Sequence, residues 1–485
     1  MSTTRQTNSE TPTRTDIAVI GSGPGGSMTA CLLAERGRDV VLIEEGPDLA
    51  LDSCPPFSRE EMVQKYRNGG LTVALGRTKV AYVEGRCVGG GSEINSGLHH
   101  RTPAEILERW RTDNQIENLT DADLTPHFEA CERELSVSLL PGPAQPASLR
   151  LHEGATSLGW SSMEVPRWFS YRAEAGPAGA GVKQSMTQTL VPRARTAGAR
   201  LVAQTRVRRL RRRGQSWHIE LEETASSSTR RSVLVADKVF LACGSIQTPA
   251  LLQRSGLAPL AGRGLHMHPT VKVIAQFGDE VNAPNMGVPV HQVKEFAPRF
   301  SFGCSISAPP HLALAMLDHP EHAAFARANW RRFAIYYAMI GGGDGSVRSL
   351  PFFRDPLVRY RLAQQDLADL AEGMRQLCRC LFAAGAQVLY SSVAGSKPLQ
   401  RLADIEDLPT ALPAKQTNLM TIHLFSSCPL GEDRRKCVAD SFGRVHGESN
   451  LWIADGSLLP GPPGVNPQGS ILAITRRNAL HFLNQ

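Results

Sequence analysis

The apolar positions of this chain change period along its length. Asp16-Ile17-Ala18-Val19-Ile20 is a short β-branched run, which predicts a buried strand. Residues 27–36 then follow a helical spacing, with Met28, Leu32 and Leu33 on the packing side, and Gly37 ends the pattern. Asp39-Val40-Val41-Leu42-Ile43 is a second strand of the same kind. Residues 105–111 and 124–135 read as helices, and the Pro/Gly/Ala-rich stretch 141–146 as a turn. Residues 206–210 and the alternating Trp217-His218-Ile219-Glu220-Leu221-Glu222 form a hairpin across Gly214. Residues 233–237 and 239–241 supply further strand material, followed by a turn at Gly244 and a helix to Gln253.

From about 270 to 420 the pattern is different. Residues 271–277 alternate, residues 300–302 and 333–340 read as strands, and 341–346 as a glycine-rich turn. Residues 362–384 carry one long amphipathic helix. The wealth of Phe, Tyr, Met and Leu here predicts an apolar pocket, or simply a core. Near the end come Thr421-Ile422-His423-Leu424-Phe425, the strand Leu451-Trp452-Ile453, and a helix over 468–483.

Composition adds limits. At 485 residues, with 41% hydrophobic and 20% charged residues, the chain has the make-up of a globular protein of one large or two linked domains. Ten cysteines without regular spacing argue against a disulfide framework and for a reducing, cytoplasmic setting. Cys378 and Cys380 are two apart on a helix, so they do not face one another. His266 with His268 and His319 with His322 lack further ligands, so no metal site is expected, and the second pair reads as surface. The net charge of +7 is spread along the chain, and the run Arg208-Arg209-Leu210-Arg211-Arg212-Arg213 reads as a solvated hairpin edge rather than a nucleic-acid site. Residues 1–15 are polar, neither signal peptide nor anchor, and are expected to be a disordered tail. No run of about 18 apolar residues predicts a transmembrane helix.

The first strand runs into Gly21-Ser22-Gly23-Pro24-Gly25-Gly26, and Glu44 closes the second strand. Each residue has work to do in binding a dinucleotide. Gly21 permits the turn, Gly23 lets a pyrophosphate approach, Gly26 lets helix and strand pack, and the helix start offers free N–H groups. Glu44 can accept hydrogen bonds from ribose hydroxyls and would repel a 2′-phosphate. Strand, glycines, helix, strand and acid in register make this a strong signal, although FAD and NAD stay unresolved at this point.

A second glycine cluster, Gly85-Arg86-Cys87-Val88-Gly89-Gly90-Gly91-Ser92-Glu93-Ile94-Asn95, suits a larger ligand lying against backbone. With this motif, Arg101-Thr102-Pro103 and Trp110, the chain resembles the glucose–methanol–choline (GMC) FAD-dependent oxidoreductases. The resemblance continues through Gln247-Thr248-Pro249, His423-Leu424-Phe425-Ser426-Ser427-Cys428-Pro429, Asp455-Gly456-Ser457 and Gly464-Val465-Asn466-Pro467. It implies an α/β fold: a Rossmann-like FAD-binding domain and a discontinuous substrate domain on an antiparallel sheet, like p-hydroxybenzoate hydroxylase. The expected division is 16–110, 185–265 and 425–485 for the FAD-binding domain, with 111–184 and 266–424 for the substrate domain.

The resemblance implies that Arg86, Gly89, Gly90, Gly91, Ser92 and Asn95 lie along the flavin and ribityl chain. Val207 would meet the adenine edge, and Asp455 and Gly456 the pyrophosphate and ribityl region. Pro467 would open a helix aimed at the flavin, and His268-Pro269 would be structural. Ile94 stands where some members carry the histidine that binds FAD covalently, so noncovalent FAD is expected.

Members of the family use a histidine and a downstream histidine or asparagine, which here match His423 and Asn466. A neutral imidazole of ordinary pKa near ~6.5 can take the hydroxyl proton. The uncharged Asn466 can orient the alcohol without competing for that proton. The expected activity is oxidation of a small-molecule alcohol of apolar character, in the style of the sterol and long-chain-alcohol branch. The electron acceptor is open. A lyase without net redox and a tailoring oxidase that triggers cyclisation or rearrangement are the alternatives.

Overall fold

The computed structural model describes residues 13–171, 181–225, 230–284 and 287–485. The strand Arg14–Ile20 lies at the centre of the first sheet, parallel to Val40–Ile43 on one side and Arg231–Leu241 on the other. Arg200–Val202 continues the parallel set beyond Val40–Ile43, and Leu451–Ile453 pairs in parallel with the end of Arg231–Leu241. The hairpin Thr205–Arg213 and Ser216–Glu223 extends this sheet antiparallel, with Thr205–Arg213 at its edge. Its arginines therefore face solvent and pair locally, as Arg208 does with Glu222.

Residues 233–237 and 239–241 form one continuous strand. Its central Asp237 and Lys238 escape burial by pairing with Arg14 and Asp16. Arg14 and Thr15, expected in the tail, belong to the first strand, and residues 1–12 lie outside the described residues.

Alternation along Arg14–Ile20 decides what covers each face. Ile17 and Val19 pack with Met28 and Leu33 of the helix Pro24–Glu35. Ala18 and Ile20 share a core with Leu107, Trp110, Leu124 and Phe128. The helix Asp121–Glu134, closed at its start by a Thr120/Asp123 capping box, therefore packs with the nucleotide-type sheet. That helix falls in the segment 111–184 expected for the substrate domain, and its Leu124 and Phe128 lie in this core.

The second large sheet has nine strands. Its path runs Thr72–Ala74, Val80–Tyr82, Leu419–Thr421, Thr270–Gln276, Phe333–Met339, Ser301–Cys304, His291–Val293 and Ser162–Glu164, with Val388–Ser391 also on Thr270–Gln276. All pairs are antiparallel except Val80–Tyr82 with Leu419–Thr421. Two of these strands come from the 16–110 segment assigned to the other domain. One face buries Val271, Val273, Tyr336 and Ala338 against Leu370, Met374 and Leu377 of the helix Gln364–Ala383. Much of the apolar content of 270–420 is this core.

Between the two sheets lies a four-stranded one: Leu357–Arg361, Asp344–Arg348, Arg263–Met267 and Leu424–Phe425. The expected turn 341–346 ends inside its second strand. His319, read as surface, is fully buried and its Nε2 bonds the Ser391 carbonyl at 2.8 Å. The described residues contain no group of three or more His, Cys, Asp or Glu placed to hold a metal. No helix among them is long and apolar enough to cross a membrane.

Candidate active site

A cavity of about 250 Å³ runs along the ends of the parallel strands. The first glycine loop forms its floor. Gly21 has φ +104° and lies so close to the next strand that a Cβ would sit 2.2 Å from the Ala242 carbonyl oxygen. Gly23 differs, because a Cβ there would meet nothing within 4 Å. Its open side faces the cavity. The second loop closes over the first, and a Cβ on Gly90 would come within 2.9 Å of the Gly23 Cα. The helix Pro24–Glu35 starts here with no side-chain cap and no acid in its first turn. Free N–H groups and the positive end of the helix dipole therefore face the cavity, as a phosphate needs.

Gly21, Gly23, Pro24, Gly25, Glu44, Gly90, Gly91, Asn95, Val207, Asp455, Gly456 and Pro467 all line this space with His423 and Asn466. Gly26, Arg86, Gly89 and Ser92 do not line this space. A Cβ on Gly26 would lie 1.9 Å from the Gly21 carbonyl oxygen, so its role is packing. The Gly89 amide donates to Ser22 Oγ, Ser92 Oγ donates to the Gly89 carbonyl, and Arg86 pairs with Glu45.

Glu44 accepts from the Ser22 amide and hydroxyl and from the Gly46 amide. Burial raises its pKa against these bonds. Burial would raise Glu45 too, but the Arg67 charge overcomes it and takes the pKa to about 2. Asp455 turns its carboxylate to the Gly244 amide, Thr248 and Ser457, which leaves its backbone at the cavity. Pro467 is the residue just before the helix Gln468–Leu483, one position earlier than expected, and its carbonyl accepts from the Ile471 amide. That helix start also carries no acid.

The middle sheet brings the two decisive side chains together. Met267 pairs with Leu424, so His268 just after the one strand and His423 just before the other meet side by side. Their Nδ1 atoms are 3.0 Å apart. Asn466 Nδ2 donates to His423 Nε2 at 3.3 Å, and Asn466 Oδ1 accepts from Gln292 Nε2 at 3.1 Å. Gln292 Oε1 in turn lies 3.2 Å from His100 Nε2. A lone pair on His423 Nε2 requires its proton on Nδ1, donated to His268. Burial, then the Lys294 charge, lowers the His423 pKa to about 3. Burial lowers His100 to about 3 and His268 well below the usual value. All three rings are neutral near pH 7.

The expected ordinary pKa of His423 is thus replaced by a strongly depressed one, and His268 is a direct partner of the proposed base. Gln292 and His100 carry no sequence signal, because only the long-range strand register brings them here. Arg206 and Arg254 also line the cavity beside Val207, and nothing in the local sequence singles them out.

The sheet face above the site is polar. Lys272, Tyr337, Gly303 and Gln292 lie in one row across four strands, each the register partner of the next. Tyr337 is bonded to Gln292. An apolar roof was expected; Ile422, Leu98 and Ile94 give an apolar wall beside His423, and the row above it is not apolar.

Models of the GMC oxidoreductase family match residues 62–270 and 345–475, and a Rossmann-like NAD(P)-binding model matches 19–55. A GMC-type oxidoreductase of Sinorhizobium fredii is 39% identical, covering 97% of this chain and 95% of that protein. Long-chain-alcohol oxidase FAO1 of Arabidopsis thaliana is 26% identical, over 93% of this chain and 64% of its own length. Pyridoxine 4-oxidase from Mesorbium loti has the same fold, with a TM-score of 0.74 at 18% identity, covering 97% of this chain and 99% of that one.

Proposed function

Because the chain belongs to the GMC oxidoreductase family, with FAD as its cofactor, we propose that it oxidises the CH–OH group of a small-molecule alcohol to an aldehyde or ketone, with His423 as base. The observation that carries this reading is the 3.3 Å pair of His423 Nε2 and Asn466 Nδ2 on a cavity walled by two glycine loops. A similar long-chain-alcohol oxidase supports the substrate class. The fit to FAD rests on the open side of Gly23, the two uncapped helix starts and the acid Glu44.

When bound, FAD supplies the acceptor for the hydride equivalent. The chain supplies the rest. A substrate hydroxyl entering between the two side chains accepts from Asn466 Nδ2 and donates to His423 Nε2. Both bonds replace the one these residues make to each other, so no buried donor is left unpaired. His423 Nε2 then takes the hydroxyl proton, while the bond from its Nδ1 to His268 holds the ring in place. Oxygen or another acceptor removes the electrons.

FAD is held noncovalently in this reading. Ile94 occupies the position of attachment, and the nearby His99 and His100 are engaged by Glu132 and Gln292. All ten cysteines are unpaired, which supports a reducing, cytoplasmic setting.

The test is anaerobic mixing of the FAD-loaded protein with a panel of alcohols, following loss of the flavin colour. The His423→Ala variant should keep FAD and lose about 100-fold or more of the reduction rate. A near-normal rate in that variant sinks the assignment of the base.

A further inference from the structure

The polar row above the site holds two ammonium groups for which the oxidation reading has no use. Lys272 projects on the same sheet face as Tyr337 and Gln292, by the register Lys272–Tyr337–Gly303–Gln292. Lys294, two residues after Gln292, has its Nζ 3.4 Å from the Gly464 carbonyl, in the loop that delivers Asn466. Thr270, Lys272, Tyr337 and Lys294 are all half-buried, whereas Val271, Val273, Tyr336 and Ala338 are buried on the other face. The same face is covered at Ile274, Ile335 and Gln292, so the half-buried side chains mark a gap in that cover. The Lys294 end of that gap adjoins His423 and Asn466, because the Lys294 charge acts on His423 and Gln292, two residues before it, bonds Asn466.

Neither lysine has a carboxylate partner among the described residues. The Lys294 ammonium makes only the long contact to the Gly464 carbonyl among the described residues. Burial pushes both ammonium groups down to about 8, so each is only just held in its charged form near pH 7. Arg67 at the other end of the cavity shows the matched case and carries Glu45 and Glu84. A desolvated cation left without an anion costs stability, and such a cost is usually retained where a ligand supplies the missing charge.

Building on the oxidation reading, we infer that the substrate is an alcohol bearing an anionic group, a carboxylate or a phosphate. Lys294 anchors that group near the reacting carbinol, and Lys272 lies farther along the same gap. The anion neutralises Lys294 while the hydroxyl reaches Asn466 and His423, so charge pairing sets which hydroxyl of the molecule is presented.

The test needs no turnover. The FAD-loaded full chain is titrated with hexanoate, hexyl phosphate and hexanamide, following the visible flavin spectrum. An anion should perturb the spectrum saturably and the amide should not, and the tighter of the two anions identifies the headgroup. Lys294→Gln should weaken the anion about tenfold or more, and Lys294→Arg should recover most of that loss. Arg209→Gln, on the exposed hairpin edge, should change nothing. Equal binding of hexanoate and hexanamide, or an anion affinity within about twofold of wild type in Lys294→Gln, overturns the proposal. If anions bind as expected but no alcohol in the anaerobic panel reduces the flavin, the anion site stands and the oxidation reading falls.

Discussion

Gln292 fixes which way the Asn466 amide points, and exchanging it for glutamate should turn the proposed base into a donor. In the native arrangement Gln292 Nε2 donates to Asn466 Oδ1, so Asn466 Nδ2 faces His423 Nε2 and meets a lone pair there. A glutamate at 292, ionised beside Lys294, can only accept. It keeps the bond from His100 but forces Asn466 to rotate and present Nδ2 to it. The Asn466 oxygen then faces His423 Nε2, which must carry the proton. The ring can comply, because His268 Nε2 has no partner and leaves that histidine free to exchange tautomers. General-base catalysis contributes about 100- to 10,000-fold, so flavin reduction in Gln292→Glu should fall into that range. Gln292→Leu behaves differently. It leaves Asn466 Oδ1 and His100 Nε2 unpaired in a site where Gln292 is 2% exposed, at about 1–3 kcal/mol each. It does not invert Asn466, so the rate should drop only about tenfold. The two variants are thus ordered oppositely: glutamate slower, leucine less stable. Anaerobic stopped-flow reduction and urea unfolding on the FAD-loaded proteins read the two orders. A Gln292→Glu enzyme within about threefold of wild type, or a leucine variant slower than the glutamate one, refutes the directed hydrogen-bond chain.

Three further outcomes follow from the geometry. Gly23→Ala should fold normally and bind FAD poorly, because its Cβ enters only the open space of the cavity. Gly25→Ala should destabilise the protein itself, its Cβ lying 2.0 Å from the Ala454 carbonyl oxygen; apoprotein melting and FAD titration separate the two. Arg67→Met leaves the half-buried Glu84 without a cation and takes one from Glu45, which keeps Arg86 and Arg354, and should cost about 3 kcal/mol of unfolding free energy at pH 7. Because the folded Glu45 pKa lies below its unfolded value, its share of that loss should fade as pH falls from about 4.5 toward about 2. The third outcome concerns pH. His423 accepts a proton at every pH above about 3, so the reduction rate should show no acid limb near 6.5, and Lys294→Gln should move the limb upward. The depressed histidines also bind protons only when unfolded between those values, so stability should decline as pH drops through about 6.5. A reduction profile that halves near 6.5 in the wild type contradicts the neutral, buried base.

How much of this was legible depended on how local each signal is. The first glycine loop and Glu44 lie within about thirty residues, and every part acts on its neighbours, so the motif could be read directly. His423 and Asn466 were found by the pattern around them, not by their own chemistry. Their partners were invisible for a different reason. His268 is 155 residues from His423 and Gln292 is 174 from Asn466, and only strand register closes those gaps. Alternation was visible in 271–277 and 333–340, but which parity faces the helix Gln364–Ala383 could not be known. The apolar residues were read as pocket or core, and the parity of Val271, Val273, Tyr336 and Ala338 belongs to the core. His319 misled through its charged neighbours, because a histidine beside Pro320 and Glu321 looks exposed until the Ser391 carbonyl is seen against it.

The same register has a consequence for how the proposed chemistry is held. His423 is fixed by the middle sheet through the Met267–Leu424 pair, whereas Asn466 is fixed by the nine-stranded sheet through Gln292. The two halves of the catalytic pair therefore belong to different frames, and the 3.3 Å between them measures how those frames are seated. Both frames also touch the cofactor wall: Ser245 donates to the Leu424 carbonyl, and Gln468 pairs with Asn95 of the second glycine loop. A cofactor pressed against that wall braces the base and the orienting amide together. Neither group needs a charge of its own, because burial keeps the imidazoles neutral and the directed chain from His100 to His268 sets where each proton lies. In such an arrangement the protein's contribution is placement, which is why residues one layer behind the cavity weigh as heavily in the argument as those that line it.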